Sequence, residues 1–238
     1  MAQYPVNLNV RGRRCVVIGG GAVGTRKALR LAACGARVTV ISPVVTKALQ
    51  PHIDSGAVHW VRRGYRRGDL LLDPLENEVS APEDPGGSER VFLAFSTTED
   101  PAINVRVRDD ARRLGILCNI ADRPGDCDFT LPALVARGDL TVAVSTSGSS
   151  PALARRLRKE LEEQLGEEYA VGLKILGAAR KRLLGEGHAP EAHQRQFRAL
   201  IDGGLISMIR ERRFEAADRL LVDTLGDGYT FDSLMKAT

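Results

Sequence analysis

Nowhere in these 238 residues does an apolar run approach the roughly 18 positions that a bilayer span requires. Cys15-Val-Val-Ile18 and Leu70-Leu-Leu72 are each broken within a few residues, which excludes a membrane-spanning role. The amino-terminal stretch is interrupted by Pro5, Asn7 and Asn9 and lacks the continuous apolar core of a signal peptide, so the protein is expected in the cytoplasm. Cysteine is scarce. Cys15, Cys34, Cys118 and Cys127 form no C-x-x-C pair, which argues against a disulfide framework and a structural zinc site and predicts free thiols. His52, His59, His188 and His193 do not cluster with them, so no resident metal site is expected, and no Ser-His-Asp set suggests itself. A strong charge of one sign is also missing. The 34 Lys and Arg against 30 Asp and Glu leave a net +4, too little to call for a nucleic-acid partner. No internal repeat is visible. What remains, 43% hydrophobic and 27% charged residues, suits a soluble globular protein.

Patterning then supplies the fold. Cys15-Val-Val-Ile18 reads as a strand, a glycine cluster follows, residues 25–34 carry apolar positions at helical spacing, and Arg37-Val-Thr-Val-Ile41 is again strand-like. That is a βαβ unit. A helix over 46–55, strands over 57–61, 91–95 and 116–120, and an amphipathic helix over 104–114 extend it to five parallel strands. Residues 73–90, with six acids, one base and Pro74, Pro82 and Pro85, read as a solvated loop. Beyond Asp122 the alternation stops, and two extended segments joined by a tight glycine turn lead to Ser150-Pro151, an N-cap with proline at the first helical position. Helices are expected over 152–165, 169–184 and 194–221. The expected organisation is α/β: a Rossmann-type parallel-sheet domain over 1–122, an extended dimerisation and active-site region over 123–150, and an all-α region over 151–238.

Three segments can carry chemistry. Gly19-Gly20-Gly21-Ala22-Val23-Gly24 is a G-x-G-x-x-G that follows a strand and opens a helix, where glycine lets the backbone approach a pyrophosphate and the helix N-terminus offers it N–H groups. The acid that grips a ribose 2′-hydroxyl is absent after Ile41, and no arginine follows directly to hold a 2′-phosphate. NAD is favoured, and its recognition is left to Ser42 or the nearby backbone. Asp122, Asp126 and Asp128 come next, just past the carboxyl end of a strand; Asp122 is the candidate for catalysis, while the other two suit turn and cap roles. The third segment is Ser145-Thr146-Ser147-Gly148-Ser149-Ser150, a hydroxyl loop leading into a helix with Arg155, Arg156, Arg158 and Lys159. Such a set suits carboxylate or phosphate groups, and equally an ordinary N-cap on a solvated helix face.

Taken together, Tyr4-Pro-Val-Asn-Leu8, the glycine loop with Thr25-Arg26-Lys27, Cys118-Asn-Ile-Ala-Asp122, Cys127-Asp-Phe129, Leu140-Thr-Val-Ala-Val-Ser145 and Ser150-Pro-Ala-Leu-Ala-Arg155 resemble one family. It is the precorrin-2 dehydrogenase family, the N-terminal module of siroheme synthase. The resemblance implies a homodimer that oxidises the tetrapyrrole precorrin-2 to sirohydrochlorin with NAD, and in some members inserts ferrous iron as a second substrate. It implies Asp122 as the catalytic carboxylate, residues 19–24 and 42–44 as nucleotide contacts, and family-like positions at Asn104, Asn119 and Thr146. Asn119, Thr146, Ser147, Ser149, Arg155, Arg156 and Arg158 are the candidate substrate contacts, since a ring bearing many carboxylates suits the cation cluster. The chain departs from the family pattern at Gly24, where alanine is usual, at Phe95-Ser-Thr-Thr-Glu-Asp100, and in the inserted loop 73–90. A non-catalytic NAD-sensing Rossmann module with a helical dimerisation tail would account for the glycine loop. It gives no reason for Asp122 or for hydroxyls opening a cationic helix.

Overall fold

The side chains of Cys15 and Val17 face one side of the first strand and those of Val16 and Ile18 the other, and all four are buried. A strand covered on both faces must be central, which is why it reads as an unbroken apolar run rather than an alternating one. The structure is a computed structural model that describes residues 3–71, 90–121, 123–186 and 193–237, and it divides into two compact units, Gln3–Leu131 and Pro132–Thr238. The boundary falls between Leu131 and Pro132, and it assigns the extended hairpin to the helical unit.

In the first unit β1 (Arg14–Gly20), α1 (Ala22–Ala33), β2 (Arg37–Val45), α2 (Gln50–Asp54), β3 (Val58–Val61), β4 (Leu93–Ser96), α3 (Pro101–Leu114) and β5 (Leu117–Ile120) alternate along the chain. All pairings are parallel, in the order β3-β2-β1-β4-β5. The direction of winding reverses between β1 and β4, and open α/β sheets bind ligands outside the carboxyl ends of their strands at such a point. Packing on one face gathers Val16, Ile18, Ala94, Val107, Ala111 and Ile120 beneath α3. Ala28 of α1 joins Cys15, Val17, Val40 and Phe95 on the other.

Local chemistry sets the helix ends. The Asp100 carboxylate accepts from the Ala102 N–H at 2.8 Å with Pro101 at the first turn, so α3 begins three residues before the apolar spacing suggests. It ends at Gly115, in the left-handed region at φ +62°. Only Gln50–Asp54 of the helix expected over 46–55 is helical. The loop expected over 73–90 lies outside the described residues except at Arg90.

The second unit opens with an antiparallel hairpin, β6 (Ala133–Arg137) and β7 (Leu140–Val144), which turns at Gly138 with φ +55°. The Ser150 side chain accepts from the Leu153 N–H at 3.2 Å and Pro151 opens α4 (Pro151–Gln164), as the sequence predicts. The described residues continue with α5 (Glu168–Gly185), α6 (His193–Asp202), α7 (Leu205–Arg210), α8 (Phe214–Leu225) and α9 (Phe231–Lys236), around a core that includes Ile175, Leu200, Leu205, Leu221 and Leu234.

The single helix expected over 194–221 is therefore wrong. Gly204 at φ +83° and Arg212 at φ +57° break it into three, because residues in the left-handed region cannot continue a right-handed helix. Gly203 stands where an added Cβ would come within 2.8 Å of the Ala199 carbonyl oxygen and 2.9 Å of Leu220, so the break also brings α8 close. Helix α9, which the sequence reading missed, starts from a Thr230–Ser233 capping box.

Candidate functional site

The switch point is built as an anion cradle. Gly19 sits at φ +103°, and a Cβ there would lie 2.7 Å from Thr97 Oγ1, whose hydroxyl donates to the Ile18 carbonyl at 2.9 Å. At Gly20 a Cβ would lie 2.3 Å from the Val44 carbonyl oxygen, and at Gly24 one would lie 2.0 Å from that of Gly19. These three glycines are required by close backbone approach. Gly21, the N-cap of α1, is different: nothing lies within 4 Å of where its Cβ would be. No side chain caps α1 and no acid stands in its first turn, so the backbone N–H groups at its start lack a side-chain acceptor at the positive end of the helix dipole. A cradle lacking one wall and an uncapped 12-residue helix together fit the pyrophosphate of a dinucleotide.

Closeness at Gly20 gives a measurable expectation. Gly20→Ala must push β1 from β2 at the Val44 carbonyl, and it should lower unfolding free energy by about 1–3 kcal/mol in a urea titration with unchanged m value. NAD affinity should fall with it.

Beside the cradle, β2 runs on to Val45, four residues past Ile41, and pairs with Gly20 after a register shift. Ser42 is buried, donates its hydroxyl to the Val44 carbonyl at 2.7 Å, and accepts from Trp60 Nε1 at its own carbonyl at 2.8 Å. Pro43 and Val44 are exposed. The structure thus brings residues 19–24 and 42–44 together at one sheet edge, with Ser42 shaping the edge through its internal bonds.

The end of β5 is tied into the same region. The Asp128 carboxylate accepts from the Cys118 N–H at 2.9 Å, while the Asp128 N–H donates to the Cys118 carbonyl at 2.9 Å. Asp126 pairs with Arg108 at 2.7 Å. Both carboxylates therefore anchor the chain. Asn119, 7% exposed, accepts from Lys27 Nζ at 2.6 Å and donates from Nδ2 to the Phe129 carbonyl at 2.9 Å, so both ends of its amide are engaged within the protein. Asp122, the candidate base, lies outside the described residues. Burial pushes the Cys15 thiol up to about 11, and burial with Asp128 nearby pushes Cys118 up to about 12, which leaves both as inert packing groups. Among the described residues no group of three or more metal-ligating side chains occurs.

Within the second unit, the Ser149 N–H donates to the Thr146 carbonyl at 2.9 Å and the Ser150 N–H to Thr146 Oγ1 at 3.2 Å, and Ser147 stands at φ +51°. This compact turn presents hydroxyls at the start of α4. Along α4, Arg156 pairs with Glu160 at 2.8 Å and Arg158 with Glu162, both one turn on, whereas Arg155 and Lys159 are exposed with no ion-pair partner among the described residues. The cluster is less uniformly cationic than the sequence suggests. Lys27 and Thr97 were missed as site residues; for Lys27 the Thr25-Arg26-Lys27 run after the glycine loop was the available signal.

A family model described as putative NAD(P)-binding matches residues 6–133, and one described as sirohaem biosynthesis protein central matches residues 137–164. The siroheme synthase of Azotobacter vinelandii (strain DJ / ATCC BAA-1303) is 32% identical over 229 residues, which cover 93% of this chain and 44% of that protein. That of Nitrosococcus oceani is 31% identical over 229 residues, covering 96% and 45%. The chain thus spans less than half the length of these curated relatives. A solved structure of SirC, precorrin-2 dehydrogenase, superimposes with a TM-score of 0.70 at 25% identity, covering 92% of this chain and 98% of that one.

Proposed function

The chain belongs to the putative NAD(P)-binding family, and we propose that it is an NAD-dependent precorrin-2 dehydrogenase acting in siroheme biosynthesis. The observation that carries the proposal is the likeness to SirC, precorrin-2 dehydrogenase, across 98% of that chain. In the reaction the tetrapyrrole gives up a hydride and a proton, and sirohydrochlorin, NADH and a proton result. The chemistry supplied by bound NAD is hydride acceptance. Residues 19–24 hold the dinucleotide by its pyrophosphate, and residues 42–44 line the ribose beside them. Winding order then puts the β4–β5 side of the sheet, where Lys27 and Asn119 meet, on the opposite flank of the cradle from β2. Asp122, following β5 in the chain, takes the proton as general base. The hydroxyls of Thr146, Ser147 and Ser149 and the guanidinium groups of Arg155, Arg156 and Arg158 hold substrate carboxylates. A homodimer and a cytoplasmic setting belong to the same reading. Four free cysteines suit a reducing compartment, and among the described residues no helix is long and apolar enough to cross a membrane.

The ion pairs of α4 rank the arginines. Arg155→Ala should raise the KM for the tetrapyrrole roughly tenfold, the worth of one charge-assisted hydrogen bond, with NAD affinity unchanged. Arg156→Ala and Arg158→Ala should raise it less, since those side chains must leave Glu160 and Glu162 to reach the substrate. Steady-state kinetics check the order, and three unchanged KM values would make α4 a solvated face. The whole proposal is tested by supplying precorrin-2 and NAD anaerobically and following the sirohydrochlorin spectrum. Absence of NAD-dependent product would overturn it and favour the non-catalytic nucleotide-sensing module.

A further inference from the structure

The Lys27 contact joins two parts of the first unit that the proposed reaction needs in fixed relation. Lys27 lies in the second turn of α1, six residues after the N-cap at Gly21, and its side chain crosses the Phe95 ring with the nitrogen 5.0 Å from the centroid. It ends on Asn119 Oδ1 at 2.6 Å. Because Oδ1 accepts from Lys27, Nδ2 must face the other way, toward the Phe129 carbonyl, 2.9 Å off. The Phe129 ring in turn meets Phe95 edge-on, with centroids 5.4 Å apart at 88°. At the same place the chain that leaves β5 after Ile120 comes back to the sheet. Its neck is closed by the Cys118–Asp128 bonds and by Cys127 Sγ, which lies 3.1 Å from the Ile120 nitrogen and 3.2 Å from its carbonyl oxygen.

We infer that Lys27 is a positioning residue: through Asn119 it fixes the neck of the 121–127 loop, which contains Asp122, to the helix whose start meets the dinucleotide. This rests on the reaction proposed above. A neutral side chain of similar length could fill the space beside the Phe95 ring, but only a donor can satisfy the Oδ1 of buried Asn119. Without that donor the buried Oδ1 is left without its partner, the amide is held from the Nδ2 side alone, and the loop neck loses its tie to α1. The nucleotide and the loop are then no longer held by one rigid helix, and misplacement by about 1 Å can cost on the order of 10²-fold in rate.

The test uses Lys27→Met, Lys27→Arg and Asn119→Leu in the full chain, with NAD titration by calorimetry, steady-state kinetics on precorrin-2, and a labelling rate that does not depend on turnover. Cys127 reports the neck, and exposed Cys34 is the internal standard for alkylation by iodoacetamide read by peptide mass. Lys27→Met should bind NAD within about twofold of wild type and lose about 10- to 100-fold in kcat, with a much smaller change in KM. Its Cys127 labelling, relative to Cys34, should rise about fivefold or more. Lys27→Arg, which keeps a donor, should recover most of both. Asn119→Leu should match Lys27→Met, and the double variant should be no worse than the poorer single one. Wild-type kcat together with wild-type Cys127 labelling in Lys27→Met overturns the inference. A loss confined to NAD affinity overturns it in favour of a nucleotide contact, and a loss confined to tetrapyrrole KM in favour of a substrate contact. If the wild-type protein fails to oxidise precorrin-2, the functional reading falls, and Cys127 labelling in the three variants still decides whether Lys27 holds the neck.

Discussion

Gly21→Asp should leave the protein folded and remove its NAD binding. Gly21 is the N-cap of α1 with φ −71° and ψ −172°, a conformation open to any residue, and space around its missing Cβ is clear. Aspartate is among the best N-cap residues, so the new carboxylate would accept from the N–H groups at the start of α1 and change stability by only a few tenths of a kcal/mol relative to glycine. Those are the groups the pyrophosphate needs. The substitution therefore fills the site with its own anion, and it adds like-charge repulsion worth about 1 kcal/mol in bulk water and about 4 kcal/mol near a protein surface at contact distance. An affinity loss on the order of 100-fold or more should result, measured by calorimetric titration. Gly21→Asn separates the terms, since it caps the helix without charge. The gap between the Asn and Asp variants should narrow as salt is raised. Unchanged NAD affinity in a folded Gly21→Asp protein would remove the cradle from the nucleotide site.

That variant contrasts with Gly20→Ala because four glycines within six residues do different work. Gly19, Gly20 and Gly24 are held by neighbouring backbone or side-chain atoms, and Gly21 alone borders open space. The motif was legible as a string; which glycine faces the ligand was not, since that depends on where Val44 and Thr97 come to lie. The same division runs through the chain. The strand at Cys15-Val-Val-Ile18 and the Ser150-Pro151 cap were legible because burial on two faces and a side-chain-to-backbone bond leave local marks in sequence. The helix over 194–221 was misread because apolar spacing continues across Gly203-Gly204, a pair that itself marks a turn, and across Arg212, where only the backbone angle reveals the break. Lys27 went unrecognised because its partner is 92 residues away and is brought to it by the parallel register of β1, β4 and β5. The basic helix erred in the other direction. Glu160 and Glu162 stand at i+4 from Arg156 and Arg158, so the pairing was readable, but a cluster of cations was the more conspicuous pattern.

Asp122→Ala should lose about 10²-fold or more in kcat for precorrin-2 oxidation while NAD affinity stays at the wild-type value. The flanks of this position support a site meant to be held in place. The Ala121 N–H donates to the Ser96 carbonyl at 2.9 Å, the following turn is tied to α3 through Asp126 and Arg108, and the chain is anchored again at Asp128 and Phe129. The melting temperature of the variant reports whether these ties hold without the side chain at 122. A general base acts only when deprotonated. Asp122→Asn, which keeps the shape and discards the basicity, should be as slow as the alanine variant. An asparagine variant with near-normal turnover would leave residue 122 a structural role and move the base elsewhere. The same proteins then decide a second chemistry. A carboxylate that accepts a proton during oxidation can also accept pyrrole protons during metal insertion, and that step needs only transient capture of ferrous iron, which a permanent cage of strong ligands would oppose. Sirohydrochlorin with ferrous iron, followed anaerobically against an enzyme-free control, should show metal insertion by the wild type and its loss in Asp122→Ala if one carboxylate serves both steps. Insertion by the wild type at the control rate would confine the protein to the redox reaction.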